Sequence, residues 1–429
     1  MAMQLTADRS RLGASKWVAL GVLMLVGLTN YVDRLSISIL QVPIRSDLRL
    51  SDTQLGAITG LSFSLIYTFA AIPLARIADR LSPKRVIIAS LVVWNAMTIL
   101  CAFATGFATL ALFRMGVAVG EAGCGPATQS LLARAFPADQ RGRAIAVWQM
   151  VFPLGSLLGV AAGGLLSQAL GWRQAFIVLG LCGLMVTPLV MLFISDRLEP
   201  QPVREAKASG VGFGTALSKL LASRSFVFLL IGGFLAAMPL NAALNWNALF
   251  YERAFGLKMS ELTFYIAVIA GGGGVVGMVG GGFLSDWLGR RDSRWYCWLP
   301  AVALLCALPL MAGQYLLAAS PGASLCLGVI VCIALNCWMP PQAAIAQSLV
   351  SPDARALAAA CILVTAGTGG ALGPFLTGFI SDLLTARLGA DALRYAITLV
   401  ASAALLASAW FFAAARHLKA DLQGAKNAD

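Results

Sequence analysis

Long apolar runs alternate along this chain with short clusters of charge. The first run begins at Trp17 and continues to about Leu40, and five more follow at about 52–77, 86–105, 107–134, 143–169 and 173–194. Each holds roughly 20 residues or more, enough at ~1.5 Å per residue to cross a hydrocarbon core ~30 Å thick. The first run is too long for a signal-peptide core and no small-residue cleavage site follows it, so it reads as a true span preceded by a polar arm, residues 1–15. The stretch DRLEPQPVREAKASG, Asp196–Gly210, breaks the pattern with proline, charge and small residues, the composition of a connection between two bundles. Six further runs fit at about 225–250, 261–285, 295–318, 323–349, 357–383 and 392–415. The pattern predicts an all-α polytopic membrane protein with twelve transmembrane helices in two six-helix bundles. Residues 1–200 form the first bundle, 201–222 a central cytoplasmic loop, and 223–429 the second bundle with its tail.

Composition agrees with this reading. Hydrophobic residues make up 59% of the 429 positions and charged residues 12%, with a mean hydropathy of +0.82, beyond what a water-soluble chain sustains. The net charge of +12 is spread through short loops between spans and gathers on one side, which places both termini in the cytoplasm of a plasma membrane, or an inner membrane if the source is bacterial. No concentrated basic surface for nucleic acid results. Nine cysteines lie scattered without a CxxC pair and the one histidine, His417, lies in the tail, so no metal site, disulfide framework or cofactor is expected. There is no G-x-x-x-x-G-K-[ST], no G-x-S-x-G and no histidine within a span. ATP-driven transport by this chain alone and an embedded hydrolase both lack their machinery, and the chain does not read as an enzyme.

Against this apolar background a few intramembrane charges stand out, because an ion in hydrocarbon costs several kcal/mol, roughly, unless it meets a partner or a wet cavity. Arg114 and Glu121 are seven residues apart in the fourth run, two helical turns, which puts both on one face about 10 Å apart along the axis. In the first run NYVDR, Asn30–Arg34, places Asp33 about 25 Å above Lys16 at ~1.5 Å per residue, near the level of Arg114. Asp33 and Glu121 are the two carboxylates well inside spans. Burial favours a protonated acid and a neighbouring guanidinium an ionised one, so an acid beside an arginine is poised to exchange a proton. Asp33 and Glu121 are therefore the candidate proton-coupling groups. Arg114 is a candidate fork for a phosphate or carboxylate, with Asn30, Arg34 and Glu121 completing the polar pole of an apolar cavity. The competing reading is a permanent structural bridge of Asp33 with Arg34 or Arg114. The glycine runs Gly271–Gly274 and Gly280–Gly282, with Gly159, Gly163 and Gly164, read as surfaces where helices approach closely. Trp148, Phe152, Trp246 and Trp338 read as cavity walls or as packing.

The two halves repeat each other. ARIADRLSPKR, Ala75–Arg85, matches GGFLSDWLGRR, Gly281–Arg291, and Pro126–Ala144 matches Pro340–Ala358, a duplication typical of carriers built from two six-span units. Extending the second match puts Arg114 opposite Gly328 and Glu121 opposite Leu335, so the scaffold is duplicated and the charges are not. At these residues the chain resembles the major facilitator superfamily. The loop pattern G-x-L-A-D-R-x-G-R-R is nearly complete in Gly282, Leu284, Asp286, Gly289, Arg290 and Arg291, and degenerate where Ala75, Ile77 and Ser82 replace it. YVDR, R-x-x-x-x-x-G-E-A and GGALGPFLTGFISD, Gly369–Asp382, resemble the Spinster group within it. The resemblance implies a secondary active transporter working by alternating access, with proton coupling and a lysophospholipid or sphingolipid-like substrate. It also implies an inner gate made by Asp79, Arg80, Arg85, Arg141, Asp286, Arg290 and Arg291, for which loop topology alone is the competing reading. Organic-anion symporters of the same superfamily share the Arg and GEA neighbourhood, so a sugar acid or aromatic acid is the alternative substrate, and a non-transporting sensor is a further one. The expected partners are the lipid bilayer, protons and the small-molecule substrate, with the chain acting as a monomer.

Overall fold

The computed structural model describes residues 2–80, 82–194, 213–350 and 354–428, and side chains from Lys16 onward apart from short stretches that include 75–80 and 138–139. Among the described residues the fold is helical, and eleven runs are long and apolar enough to cross a membrane. The eleventh, Leu357–Gly424, has 68 residues, roughly 100 Å of helix and three times a hydrocarbon core. It is interrupted at Gly389, which takes φ 55° in the left-handed region that suits glycine, so it divides into two spans and the total is twelve.

In chain order the first six spans are α1 (Ala2–Leu48), α2 (Asp52–Gly56, Ala57–Leu65 and Ile66–Arg80), α3 (Pro83–Cys101), α4 (Phe107–Ala122 and Cys124–Ala135), α5 (Ala138–Gln149 and Val151–Leu170) and α6 (Trp172–Leu184 and Val186–Phe193). The second six are α7 (Arg224–Phe255), α8 (Met259–Ile266, Ala267–Gly273 and Gly274–Gly289), α9 (Trp295–Ala312 and Gly313–Leu317), α10 (Pro321–Asn336 and Met339–Ser348), α11 (Arg355–Leu388) and α12 (Ala392–Ala401 and Ala403–Ala428). The helix of α1 starts well before the predicted span, so the polar arm continues it. Part of the predicted central loop is also helical, as Phe213–Ala222, and residues 195–212 lie outside those described. Start signals are local: the Ser51 and Gln54 side chains form a capping box on α2, and Ser223 and Ser320 cap α7 and α10. The middle segments of α2 and α8, Ala57–Leu65 and Ala267–Gly273, are both π-helical. Each ends about four turns before the matched loop aspartates Asp79 and Asp286, so the repeat extends to a local distortion of the kind found at functional sites.

Two compact units form. The first comprises residues 1–43 and 69–203, the second 44–68 and 204–429. Glycine lets helices touch within each. In the first unit Gly155, Gly159 and Gly163 of α5 lie on Tyr31, Val32 and Ser36 of α1, and Gly120 of α4 lies on Trp94 of α3. In the second, Gly273, Gly277 and Gly281 recur every four residues along α8 and meet Cys332, Ile333 and Cys337 of α10. Gly369 and Gly373 of α11 rest on Phe234 and Met238 of α7, while Gly378 rests on the Asp52 backbone. Trp246 is fully buried and its indole N–H donates to the Pro374 carbonyl at 3.0 Å, which makes it a tie between α7 and α11.

Candidate functional site

The intramembrane charges of the first unit come together as a quartet. Arg114 Nη1 donates to Asp33 Oδ2 at 3.1 Å, and Thr98 of α3 donates to the other oxygen, Oδ1, at 2.8 Å. Arg34 Nε and Nη2 both donate to Glu121 Oε2, at 3.3 and 2.8 Å. Neighbours on α1 thus answer residues two turns apart on α4, and each helix contributes one acid and one base. The formal charge of the four sums to zero, which is what a low-dielectric setting requires.

The sequence leaves open which arginine meets which acid, with Arg114 in reach of both. In the structure each acid has its own guanidinium, because the Arg34 side chain extends across to Glu121 and leaves Arg114 to Asp33. Exposure separates the two pairs. Asp33, Arg114 and Glu121 are each at most 3% exposed, whereas the Arg34 side chain is 23% exposed. The Arg34 guanidinium lies 5.4 Å from the Tyr31 ring centroid, and Phe152 of α5 meets Tyr31 edge to face at 5.2 Å, so this cation sits on an aromatic shelf. Asn30 is buried one turn before. The second oxygen of Glu121, Oε1, is buried with no hydrogen-bond partner among the described residues, an acceptor left unsatisfied.

The second unit carries polar residues of another kind. Gly328 and Leu335, which the repeat sets opposite Arg114 and Glu121, line a small cavity with Asn247 and Gln314. Tyr315 donates to Asn247 Oδ1 at 2.7 Å, Gln314 Nε2 to the same oxygen at 3.4 Å, and Ser324 to the Tyr251 hydroxyl at 3.1 Å. This neutral cluster was invisible to a search for charges, although amide and tyrosine side chains inside apolar runs were its available signal.

A second ionic cluster, also in the second unit, escaped the sequence reading. Asp52 is buried at the start of α2, where it accepts from Arg253 Nη1 at 2.7 Å, Arg45 Nε at 3.1 Å and the Ser381 hydroxyl at 2.7 Å. Asp382 accepts from the Asp52 and Thr53 amides at 3.1 and 2.8 Å and from the Thr53 hydroxyl at 2.6 Å. It caps the first turn of α2 from α11, where its charge also complements the helix dipole. An acid in a first turn is ordinary, and nothing local marks it as a centre for distant arginines.

Of the inner-gate residues, Asp286 accepts from the Tyr296 hydroxyl at 2.8 Å, and Arg291 stacks on Trp287 at 4.8 Å. Arg85, Arg141 and Arg290 are exposed. The side chains of Asp79 and Arg80 lie outside those described.

The sequence pattern of the Major Facilitator Superfamily matches residues 22–374. An MFS-type efflux pump of Mycolicibacterium smegmatis is 36% identical over 415 residues, covering 96% of this chain and 95% of that one. A hexuronate transporter of Bacillus subtilis is 26% identical over 393 residues, covering 90% and 92%. Among solved structures, a bacterial homologue of the human lysosomal transporter Spinster, inward-facing and unoccupied, superimposes with a TM-score of 0.86 at 27% identity, covering 95% of this chain and 98% of that one.

Proposed function

The chain belongs to the Major Facilitator Superfamily as a Spinster-like membrane transporter, and from that premise we propose that it is a proton-coupled, alternating-access carrier of an amphiphile with an anionic head group. The observation that carries this reading is the partly exposed Arg34, held on an aromatic shelf by a Glu121 that is itself buried and only half satisfied. A proton arriving at Glu121 cancels the charge that attracts Arg34, and the guanidinium, planar and permanently charged, turns its fork from Glu121 to a phosphate or carboxylate. Loss of that proton restores the Arg34–Glu121 pair and expels the head group. Binding and protonation are thereby linked through one arginine, and each biases the carrier toward one facing state. Asp33 and Arg114, fully buried beside Thr98, form the second coupling pair, which responds once the first has opened. Tyr31 and Phe152 supply the apolar contact that a lysolipid or sphingoid-like tail requires. The positive charge of the connections supports an orientation with both termini in the cytoplasm, and the resemblance of the 36%-identical relative, an efflux pump, supports export.

The hexuronate transporter favours a second reading, a small sugar acid held by the same arginine. Proteoliposomes loaded with either class separate the two. Wild-type protein should move a lysophospholipid faster under an imposed proton gradient, and Glu121→Gln should keep counterflow while losing most of that acceleration. Saturable hexuronate transport that lysolipids do not inhibit would reverse the assignment, and gradient dependence preserved in Glu121→Gln would remove the coupling role.

A further inference from the structure

The second unit holds a cleft of about 480 Å³ between the start of α9, the end of α10 and the last turns of α12, well inside the size range of small-molecule sites. Its lining divides by chemistry. Ser293, Ser348, Lys419 and Gln423 bring hydrogen-bond donors, Ala344, Ile345 and Leu422 bring apolar surface, and Tyr296 brings both. We propose that this cleft binds the head group of an anionic glycerophospholipid.

Three features point to that ligand. The first is charge. Lys419 is the cation in the lining and Arg294 shares its Asp292, while Arg290 and Arg291 lie in the same α8–α9 connection and Asp286 accepts from the lining Tyr296, four cations to two acids. Asp292 is gripped by the Arg294 side chain, with Nε 3.1 Å and Nη2 2.8 Å from its Oδ2, and these bonds hold its carboxyl well below the usual carboxylate range. Its charge is therefore matched by Arg294 before Lys419 adds a bond at 3.0 Å. A lysine ammonium has three donors, so two remain for phosphate oxygens. The nearby Asp421 is engaged elsewhere, accepting from the Ser223 hydroxyl and the Ser225 amide at the start of α7 at 2.9 and 2.8 Å.

The second feature is depth. Trp295 and Trp298 meet edge to face at 5.5 Å, Arg294 lies 4.6 Å from the Trp298 ring centroid, and Trp287 is exposed beneath Arg291. Tryptophan with arginine at the ends of apolar spans marks the head-group level of a bilayer. The third is amphiphilicity. A free phosphate would use the donors and leave Ala344 and Leu422 facing water, whereas a lipid lays its glycerol and the first methylenes on them. Basic recesses between helices at this depth suit anionic lipid heads.

The test uses the full-length protein in detergent, measuring its unfolding temperature with added phosphatidylglycerol, phosphatidylcholine or inorganic phosphate, since a ligand of the folded state raises that temperature. Phosphatidylglycerol should raise it by several degrees, and the other two should not. Lys419→Gln, at a half-exposed site that tolerates change, should lose at least half of the shift, and Lys419→Arg should keep it. Ser293→Leu, which fills the cleft without altering charge, should lose it as well. Native mass spectra should show one fewer phosphatidylglycerol retained on Lys419→Gln than on wild type. Equal shifts with phosphatidylcholine, a full shift in both Lys419→Gln and Ser293→Leu, or a matching shift with inorganic phosphate would overturn the proposal.

Discussion

Asp33 and Arg34 are adjacent on α1 and carry opposite charges, yet they belong to different pairs with different surroundings. The Asp33–Arg114 pair is sealed, so removing one member strands the other. Arg114→Leu should destabilise the folded protein by about 3–5 kcal/mol, the range for a broken buried ion pair. The cause is checkable: the double variant Asp33→Leu/Arg114→Leu should recover much of the lost unfolding temperature, because no charge is then buried alone. Equal losses in the single and double variants would assign the effect to packing. The Arg34–Glu121 pair is different, since Arg34 keeps contact with open space. Its disruption should register in transport more than in stability, as the Glu121→Gln comparison tests.

At the scale of helices, glycine decides how near two backbones come, and its value depends on the face it occupies. Gly277 and Gly280 share α8. A Cβ on Gly277 would lie 2.8 Å from the Ile333 Cα of α10, while a Cβ on Gly280 would meet nothing within 4 Å. Gly277→Val should therefore force α8 from α10 and cost about 1–3 kcal/mol, as overpacking does. Gly280→Ala should be neutral or gain up to ~1 kcal/mol from helix propensity. A fall in unfolding temperature for both variants would show that the glycines matter for flexibility and not for approach. In sequence the runs Gly271–Gly274 and Gly280–Gly282 were legible as close-approach surfaces, but the part played by Gly277, the period of four and the partner α10 came only with packing.

Across the whole molecule, the chain leaves the first compact unit after Pro43 and returns to it at Phe69. The intervening segment, from the N-terminal repeat by sequence, belongs by its contacts to the second unit, tied by Asp52 to Arg253 and by Asp382 to the first turn of α2. In the alternating-access cycle proposed above these bonds would act as a latch on that segment. Asp52→Asn should weaken it: a cysteine placed at Thr53 should react with a thiol reagent several-fold faster in that background, and transport turnover should change with little effect on substrate affinity. Unchanged labelling would mean that the close contacts of Gly56, Gly60 and Gly378 with their neighbours hold the segment unaided.

Hydropathy, helical period and residue spacing are local properties, and they were enough to establish the twelve spans, the internal repeat, and the membership of Asp33, Arg34, Arg114 and Glu121 in one intramembrane set. Even the shared face of Arg114 and Glu121 follows from a seven-residue interval. Pairing is not local. Whether Arg114 served Asp33 or Glu121 depended on how α1 crosses α4 and on the reach of one Arg34 side chain. The Asp52 cluster depended on α7 and α11, whose residues lie far along the chain. Apolar spans can be recognised one at a time because each must satisfy its own backbone in lipid. The partners of their few polar groups are chosen only when helices pack, and that choice was made by the tertiary structure.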